Sequence, residues 1–500
     1  MRDFIGYAQF ETLWERFLPE TPFGRVAKES MTPLSAPEPL ARIWDETDLA
    51  IALLGNLDAD SVRLSRIQHH LKRFPRFCED PRPLYDEVEI FQFKKFLFNF
   101  RSLAELLGPE LRRAFGFEYA SEALERLLDR GRQSAESFYV SDAYSEGLAE
   151  VRAAIRETDG ALKAAQVRRA SEILARWGFE FGSKPFLLVP REALGRPEEA
   201  RDLLLVEPFD ETRYAIRIQG SAEEFLLLER RSALLTEERA REDEVLEQIS
   251  QALRSELERF GEYRQAVTRF DLACSRARLA REQGLVRPLL GEGVLEIRGG
   301  RFLPCEEACR ELGTEYVPLD ARFDGAATVI FGSNMGGKTI VLKTLAFLQL
   351  CAQMGLFAPA EVFSTRLFKH FHYLGEGHAT AVAQGLSGFG FEIRQFVEAS
   401  QDFRETALVL FDEFARTTNS LEAEAILSAV LESLAATPGV VALFSTHFRG
   451  VHRLPGVRYL RMKGLNREGL DLDQASGKAL EARIRLIDQR MEYHLVPDEG

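Results

Sequence analysis

In the second half of the chain, three apolar runs carry no polar interruption: ATVIF before Gly332, LVLF before Asp412 and VVALF before Ser445. Short runs of this kind, bounded by glycine or polar residues, predict buried strands of a parallel sheet. After the first run, GKTIVLKTLAFLQLCAQMG switches to helical spacing, with Leu342, Leu345, Ala346, Leu348 and Leu350 apolar and Gly355 as the stop. Upstream, no proline occurs between Pro208 and Pro288. Over that stretch Val245, Leu246, Ile249, Leu253, Leu257 and Phe260 recur every three or four positions among Glu and Arg. The spacing predicts a long amphipathic helix, either packed in a bundle or acting as a lever; forty residues would reach about 60 Å at 1.5 Å per residue. Before it, KPFLLVP, RDLLLVEP and RYAIRIQG are short strand-like runs separated by turns. GKALEARIRLIDQRMEY (477–493) predicts one further helix, and the proline-rich MTPLSAPEPL (31–40) and EDPRPLYDEV (79–88) predict loops or kinks.

Composition narrows the class. With 45% apolar and 28% charged residues over 500 positions, the chain is globular and should divide into about three or four domains. Its N-terminus lacks a basic stretch followed by an apolar run, and no window approaches the roughly 20 apolar residues of a membrane span, so a cytoplasmic location is expected. Five cysteines are few for this length and suit a reduced compartment. Cys305 and Cys309 have no second Cys or His pair nearby and read as ordinary helix residues. A net charge of −14 argues against a protein that coats nucleic acid through general basicity.

Chemistry enters at Gly332-Ser333-Asn334-Met335-Gly336-Gly337-Lys338-Thr339, the G-x-x-x-x-G-K-T spacing of a phosphate-binding P-loop between a strand and a helix. Gly332, Gly336 and Gly337 let backbone N–H groups approach the phosphates of ATP. Lys338 would neutralise the β and γ oxygens, and the Thr339 hydroxyl would hold Mg²⁺. Acids follow where such a site needs them: Asp412 at the end of the second strand as a metal holder, and Glu413 beside it as general base for the attacking water. The third strand ends in Ser445, Thr446 and His447, which places His447 to sense the γ-phosphate. Three strand ends directed at one phosphate predict ATP hydrolysis.

These segments resemble the MutS family. GSNMGGKT is similar to its P-loop, and AQMGLFAPA (352–360), GLSGFGFEI (385–393), LVLFDEFARTTNS (408–420) and FSTHF (444–448) follow in the family's order. ETPFGR (20–25) resembles the opening of the family's core domain, and TRFDLACSRARLA (268–280) the helix that re-enters it after a long lever. The resemblance implies an ABC-type ATPase working as a homodimer, or as a heterodimer with a MutS-like paralogue. In that scheme the segment Ser387 to Glu392 completes the partner's site, matching the family's serine, phenylalanine and glutamate at Ser387, Phe389 and Glu392. Gly388 stands where threonine is usual. Ala415-Arg416-Thr417-Thr418 replaces glycine-arginine-glycine-threonine, with Arg416 and Thr418 matching. GGRFLP (299–304) lacks the family's His-Pro, so no adenine-stacking residue is assigned.

The fold implied is α+β and multidomain: a helical core (1–178), a small β-rich clamp-like insertion (179–225), a lever helix with the return to the core (226–288), an α/β P-loop ATPase domain of ABC type (289–465) and a helical dimerisation tail (466–500). The resemblance begins at the core domain, so mismatch reading by this chain alone is not expected; SFYVSD (137–142), the nearest look-alike of the family's aromatic wedge, is not followed by glutamate. The clamp-like segment holds ten acids against six Lys and Arg over 179–225, a poor surface for displacing counterions from DNA. Two functions follow. One is an ATPase whose arms act on a protein partner, as the resemblance implies through truncated relatives that accompany cobalamin-dependent lysine aminomutases and resemble reactivating ATPases. The other is a repair or recombination clamp on duplex or branched DNA.

Overall fold

The computed structural model describes residues 1–57, 60–77, 80–131, 137–182, 184–291, 293–333, 336–375, 388–416, 418–466 and 490–499. They divide into two compact units, one of Met1–Arg73, Leu106–Phe117 and Arg264–Gly500, the other of Phe74–Glu105 and Glu118–Tyr263. The expected helical core of 1–178 therefore does not hold together as one body. Its first 73 residues belong with the P-loop region, because Phe4, Tyr7, Ala8, Phe10, Leu13, Phe17, Leu40 and Trp44 bury their apolar faces in the same cluster as Leu342, Leu345 and Phe347.

The second unit is mostly helical. One uninterrupted helix, Ala222–Gln283, runs for 62 residues, and its residues up to Tyr263 lie in this unit. Phe260 sits among Phe77, Phe93 and Phe96, while Tyr263 stacks on Phe100 with ring centroids 4.1 Å apart. Helix Glu146–Trp177 is tied to the long helix by Arg152, whose guanidinium donates to Glu238 at 2.8 Å and Glu242 at 2.6 Å. The three strand-like runs form β1 (Leu187–Pro190), β2 (Leu204–Pro208) and β3 (Arg213–Ile218), an antiparallel sheet in the order β1-β3-β2. Val189, Leu204 and Ile216 close over Ile173 in a small core of their own. Asp210 makes the β2–β3 turn by accepting the N–H groups of Thr212 and Arg213 and the Thr212 hydroxyl.

In the first unit, β4 (Leu289–Leu290), β5 (Leu295–Gly300), β6 (Leu319–Phe323) and β8 (Val362–Thr365) make one sheet in the order β4-β8-β5-β6. The second sheet is formed by β7 (Ala327–Phe331), β9 (His370–Leu374), β10 (Ala407–Asp412), β11 (Val440–Thr446), β12 (Val457–Leu465) and β13 (Met491–Pro497). Its order is β13-β12-β7-β11-β10-β9, parallel throughout except for the β12–β13 pair. Alternate side chains go to opposite faces: Leu408 and Leu410 join one core cluster, and Ala407, Val409 and Phe411 the other. That two-sided burial is why these strands read as unbroken apolar runs. The P-loop helix, Lys338–Gln353, covers the first face, and helix Ser420–Ala435 the second. Inside the first face, Gln353 donates to the Leu34 and Phe368 carbonyls and Gln349 to that of Arg366, so the buried amides are paired.

Two distant sequence segments meet here. Thr21 caps helix Pro22–Glu29 through the Gly24 N–H, and the buried Asp271 carboxylate of the long helix accepts both N–H and hydroxyl of Thr21. A Cβ on Gly24 would lie 2.3 Å from Asp271 Oδ2, so only glycine fits. ETPFGR and the FDLACS region thus form one junction.

The C-terminal expectation is corrected. Met491–Pro497 is a strand of the main sheet, so the helix proposed for 477–493 does not reach its end, and the sheet extends past residue 465. Residues 477–489 of that helix lie outside the described residues. Cys305 and Cys309 lie on helix Leu303–Leu312 as expected, and no metal-ligand cluster occurs among the described residues. Among the described residues, no helix is long and apolar enough to cross a membrane.

Candidate functional site

The C-terminal ends of β7, β10 and β11 lie side by side, because β11 pairs with both of the others in parallel. This is the edge where open parallel sheets present ligands. Beyond β7, Gly332 to Gly337 lead into the P-loop helix with Gly337 as its N-cap. Gly337 has φ +85°, and a Cβ there would also press on the Tyr493 ring at 3.1 Å, so the position requires glycine. Asn334 and Met335 lie outside the described residues. The first turn of a helix has N–H groups without partners inside the helix and the positive end of the dipole, which suits an anion.

Lys338 is the first residue of the helix, and its side chain turns back beneath the loop. Its ammonium donates to the Gly332 carbonyl at 2.8 Å and the Ser333 carbonyl at 2.9 Å, and lies 3.5 Å from Glu413 Oε1. Burial lowers the lysine's pKa, against an upward pull from the Glu413 charge. Thr339, one residue on, donates its hydroxyl to Asp412 Oδ1 at 3.1 Å.

Asp412 ends β10 and is paired in register with Ser445 on β11. The Ser445 hydroxyl donates to Asp412 Oδ1 at 2.6 Å, and the Glu413 N–H donates to the Ser445 carbonyl at 3.1 Å. Glu413 itself has φ +52°, a conformation that swings its carboxylate off the strand line and toward Lys338. Arg416 reaches its other oxygen at 3.2 Å. Two residues on, Ala415 has φ +65°, and its N–H donates to Glu392 Oε2 at 2.7 Å. The left-handed backbone accounts for the glycine that MutS relatives were expected to carry at this point.

Other expected residues fare differently. His447 follows β11 and is exposed; its ring lies against Phe448, with centroids 4.2 Å apart, and no hydrogen bond joins it to Lys338, Asp412 or Glu413 among the described residues. Ser387 and Thr417 lie outside the described residues. Glu392, expected in the segment that completes a partner's site, is buried on helix Gly388–Ser400 and accepts the Ala415 N–H of its own chain. Phe302, within GGRFLP (299–304), is buried against Phe347.

Sequence reasoning missed one participant altogether. Tyr7, on the short helix Arg2–Tyr7, donates its hydroxyl to Asp412 Oδ2 at 3.3 Å and lies 3.5 Å from the Thr339 carbonyl. Burial, and next the Asp412 charge, hold its phenol well above the ordinary value, so it stays a proton donor. No motif signals a contact that spans 405 positions.

As a set, Thr339, Asp412 and Ser445 offer only hard oxygen donors, the class magnesium takes, beside a lysine and a helix N-terminus suited to phosphates. The residues present fit a magnesium–nucleoside triphosphate.

The family model MutS domain V matches residues 328–466, from β7 to the end of β12. The chain carries a MutS domain V. The DNA mismatch repair protein MutS of Thermus aquaticus is 30% identical over 354 residues, 68% of this chain and 42% of that protein. A MutS of Thermus thermophilus is 31% identical over 275 residues, 55% and 32%. Endonuclease MutS2 of Shouchella clausii is 31% identical over 242 residues, 46% and 29%. The matched stretches span less than half the length of each of these MutS relatives. The first match, at 68% of the chain, is longer than domain V and so includes sequence outside it.

Proposed function

We propose that this chain is a MutS-like ATPase that hydrolyses ATP with Mg²⁺ in a dimer and uses the cycle to move its helical arm on a macromolecular partner. The observation that carries this reading is the meeting of Lys338, Thr339, Asp412, Glu413 and Ser445 at three adjacent strand ends, with Thr339 3.1 Å and Ser445 2.6 Å from Asp412 and Lys338 3.5 Å from Glu413. In this reading Gly332, Ser333, Asn334, Met335, Gly336 and Gly337 wrap the phosphates with backbone amides. Lys338 leaves the loop carbonyls for the β and γ oxygens. Thr339 and Asp412 hold the metal, which would draw charge from the phosphate oxygens. Glu413 takes the proton of the attacking water. His447 senses the γ-phosphate after a local rearrangement, and Ser387 serves the site of the second copy or paralogue.

For the partner, two observations pull apart. Relatives named for DNA mismatch repair support duplex or branched DNA. The clamp-like segment, with ten acids against six Lys and Arg over 179–225, supports a protein instead, such as a cobalamin-dependent lysine aminomutase that the arm would help reactivate. Phosphate release should be Mg²⁺-dependent in the native protein and absent from Lys338→Ala; equal turnover in both would end the ATPase reading. Duplex binding that weakens steeply between about 50 and 200 mM salt would support the DNA partner. No duplex binding at low salt, with tight capture of purified aminomutase, would support the protein partner.

A further inference from the structure

We propose that Tyr7 is a positioning residue for the Asp412 carboxylate, so that the first helix of the chain is a working part of the metal end of the site. The inference rests on the ATPase reading and deepens it.

Asp412 has two oxygens with different neighbours. Oδ1 accepts from Ser445 at 2.6 Å and Thr339 at 3.1 Å. Oδ2 accepts from Tyr7 at 3.3 Å. Donors to one oxygen of a carboxylate restrict rotation about the Cβ–Cγ bond, and a donor to the other oxygen fixes the plane further. Ser445 and Thr339 engage one, and Tyr7 engages the other. The Thr339 carbonyl, at 3.5 Å, is the more distant and uncharged of the two acceptors near the phenol, so the hydroxyl proton goes to the carboxylate.

The phenol has two neighbours of its own. Its ring stacks on Tyr373 of β9 with centroids 3.9 Å apart and planes 18° from parallel, and the Lys343 ammonium lies 5.4 Å from the ring centre. Only 8% of Tyr7 is exposed, so the hydroxyl approaches Asp412 along one fixed direction. Lys343 and Thr339 belong to the P-loop helix, Tyr373 to the neighbouring strand, and Asp412 to the strand that carries the acid pair. Tyr7 therefore touches three of the elements that build the site, through a ring that fixes its place and a hydroxyl that fixes the carboxylate.

Tyr7→Phe keeps the stacked ring and removes the single donor. The expected result is a rise of about tenfold or more in the Mg²⁺ concentration that gives half-maximal ATP turnover, as for loss of a partner that orients a ligand. Metal-free nucleotide binding and the unfolding midpoint should stay near those of the native protein. A purely structural phenol would shift the unfolding midpoint and leave the Mg²⁺ dependence where it was, and that result overturns the proposal. If Tyr7→Phe fails to fold, Tyr373→Leu, which removes the ring that Tyr7 stacks on and leaves the Tyr7 hydroxyl in the chain, tests the same point: a folded Tyr373→Leu with the native Mg²⁺ curve also overturns the proposal. Native protein that never hydrolyses ATP would overturn the ATPase reading and this one together, whereas normal native turnover with superposable Mg²⁺ curves overturns this one alone.

Discussion

The Glu413 carboxylate lies 3.5 Å from the Lys338 ammonium through one oxygen and 3.2 Å from the Arg416 guanidinium through the other. Two cations thus hold the acid that stands beside the metal end of the site. Glu413→Gln keeps the shape and removes the proposed base. ATP turnover should fall by about 10² to 10⁴, with nucleotide binding retained, as measured by single-turnover phosphate release and equilibrium binding.

The same pair makes a pH prediction. Burial lowers the Lys338 pKa from 10.5, and the Glu413 charge opposes the shift. The unfolded chain then binds more protons between the folded value and 10.5, so stability of the nucleotide-free protein rises with pH across that window. Glu413→Gln should lower the folded value further and widen the window downward. Thermal melts of both proteins from about pH 7 to 10.5 read the difference; parallel curves would show that the two charges do not interact.

At the junction of the two distant core segments, Gly24→Ala would place a Cβ 2.3 Å from Asp271 Oδ2 and 2.8 Å from the Pro19 Cβ. The forced shift should cost about 1–3 kcal/mol. Asp271→Ala should cost more, at least about 3 kcal/mol, because the N–H groups of Glu20 and Thr21 and the Thr21 hydroxyl lose their shared acceptor. Denaturant midpoints of the two variants give the order directly.

The left-handed backbone of Ala415, at φ +65°, costs about 1–2 kcal/mol. Its buried methyl offsets roughly 0.8 kcal/mol of that. Ala415→Gly should therefore stabilise the fold by no more than about 1 kcal/mol and leave turnover intact. A large loss of stability would mean that the methyl packing dominates.

In the small antiparallel sheet, the Arg213 guanidinium, followed by the Thr212 and Arg213 N–H groups, holds the Asp210 carboxyl down at about 2. A depressed carboxyl favours the folded turn above its ordinary value near 3.8, and that help is lost as pH falls toward 2. An NMR titration of Asp210 should show a midpoint near 2. Arg213→Ala should bring it back toward the ordinary value.

The phosphate end of the site was legible because its chemistry is contiguous: strand, glycines, lysine and threonine follow one another between 327 and 339. The acid pair was legible for the same reason. Ser445 was visible as a strand end, but its bond to Asp412 depends on β10 and β11 being neighbours in register, which no local pattern states. Tyr7 was invisible because packing alone brings it to the site. The bond from the Ala415 N–H to Glu392 was not legible, because a matching letter does not tell which way a helix turns its side chains. The last strand was misread because KALEARIRLIDQRM is rich in helix formers. MEYHLVP, which follows, takes its conformation from the exposed rim of β12 rather than from intrinsic preference.

That rim has a practical side. β13 covers the outer backbone of β12 through pairs from Leu460–Pro497 to Leu465–Met491. A shortened chain ending at 490 would leave the N–H and C=O groups of β12 unpaired along that side, a ready template for intermolecular pairing. Such a chain would still carry every motif proposed to contact phosphate, yet it should come out of cells as aggregate, and a lack of ATP turnover in it would report solubility instead of chemistry.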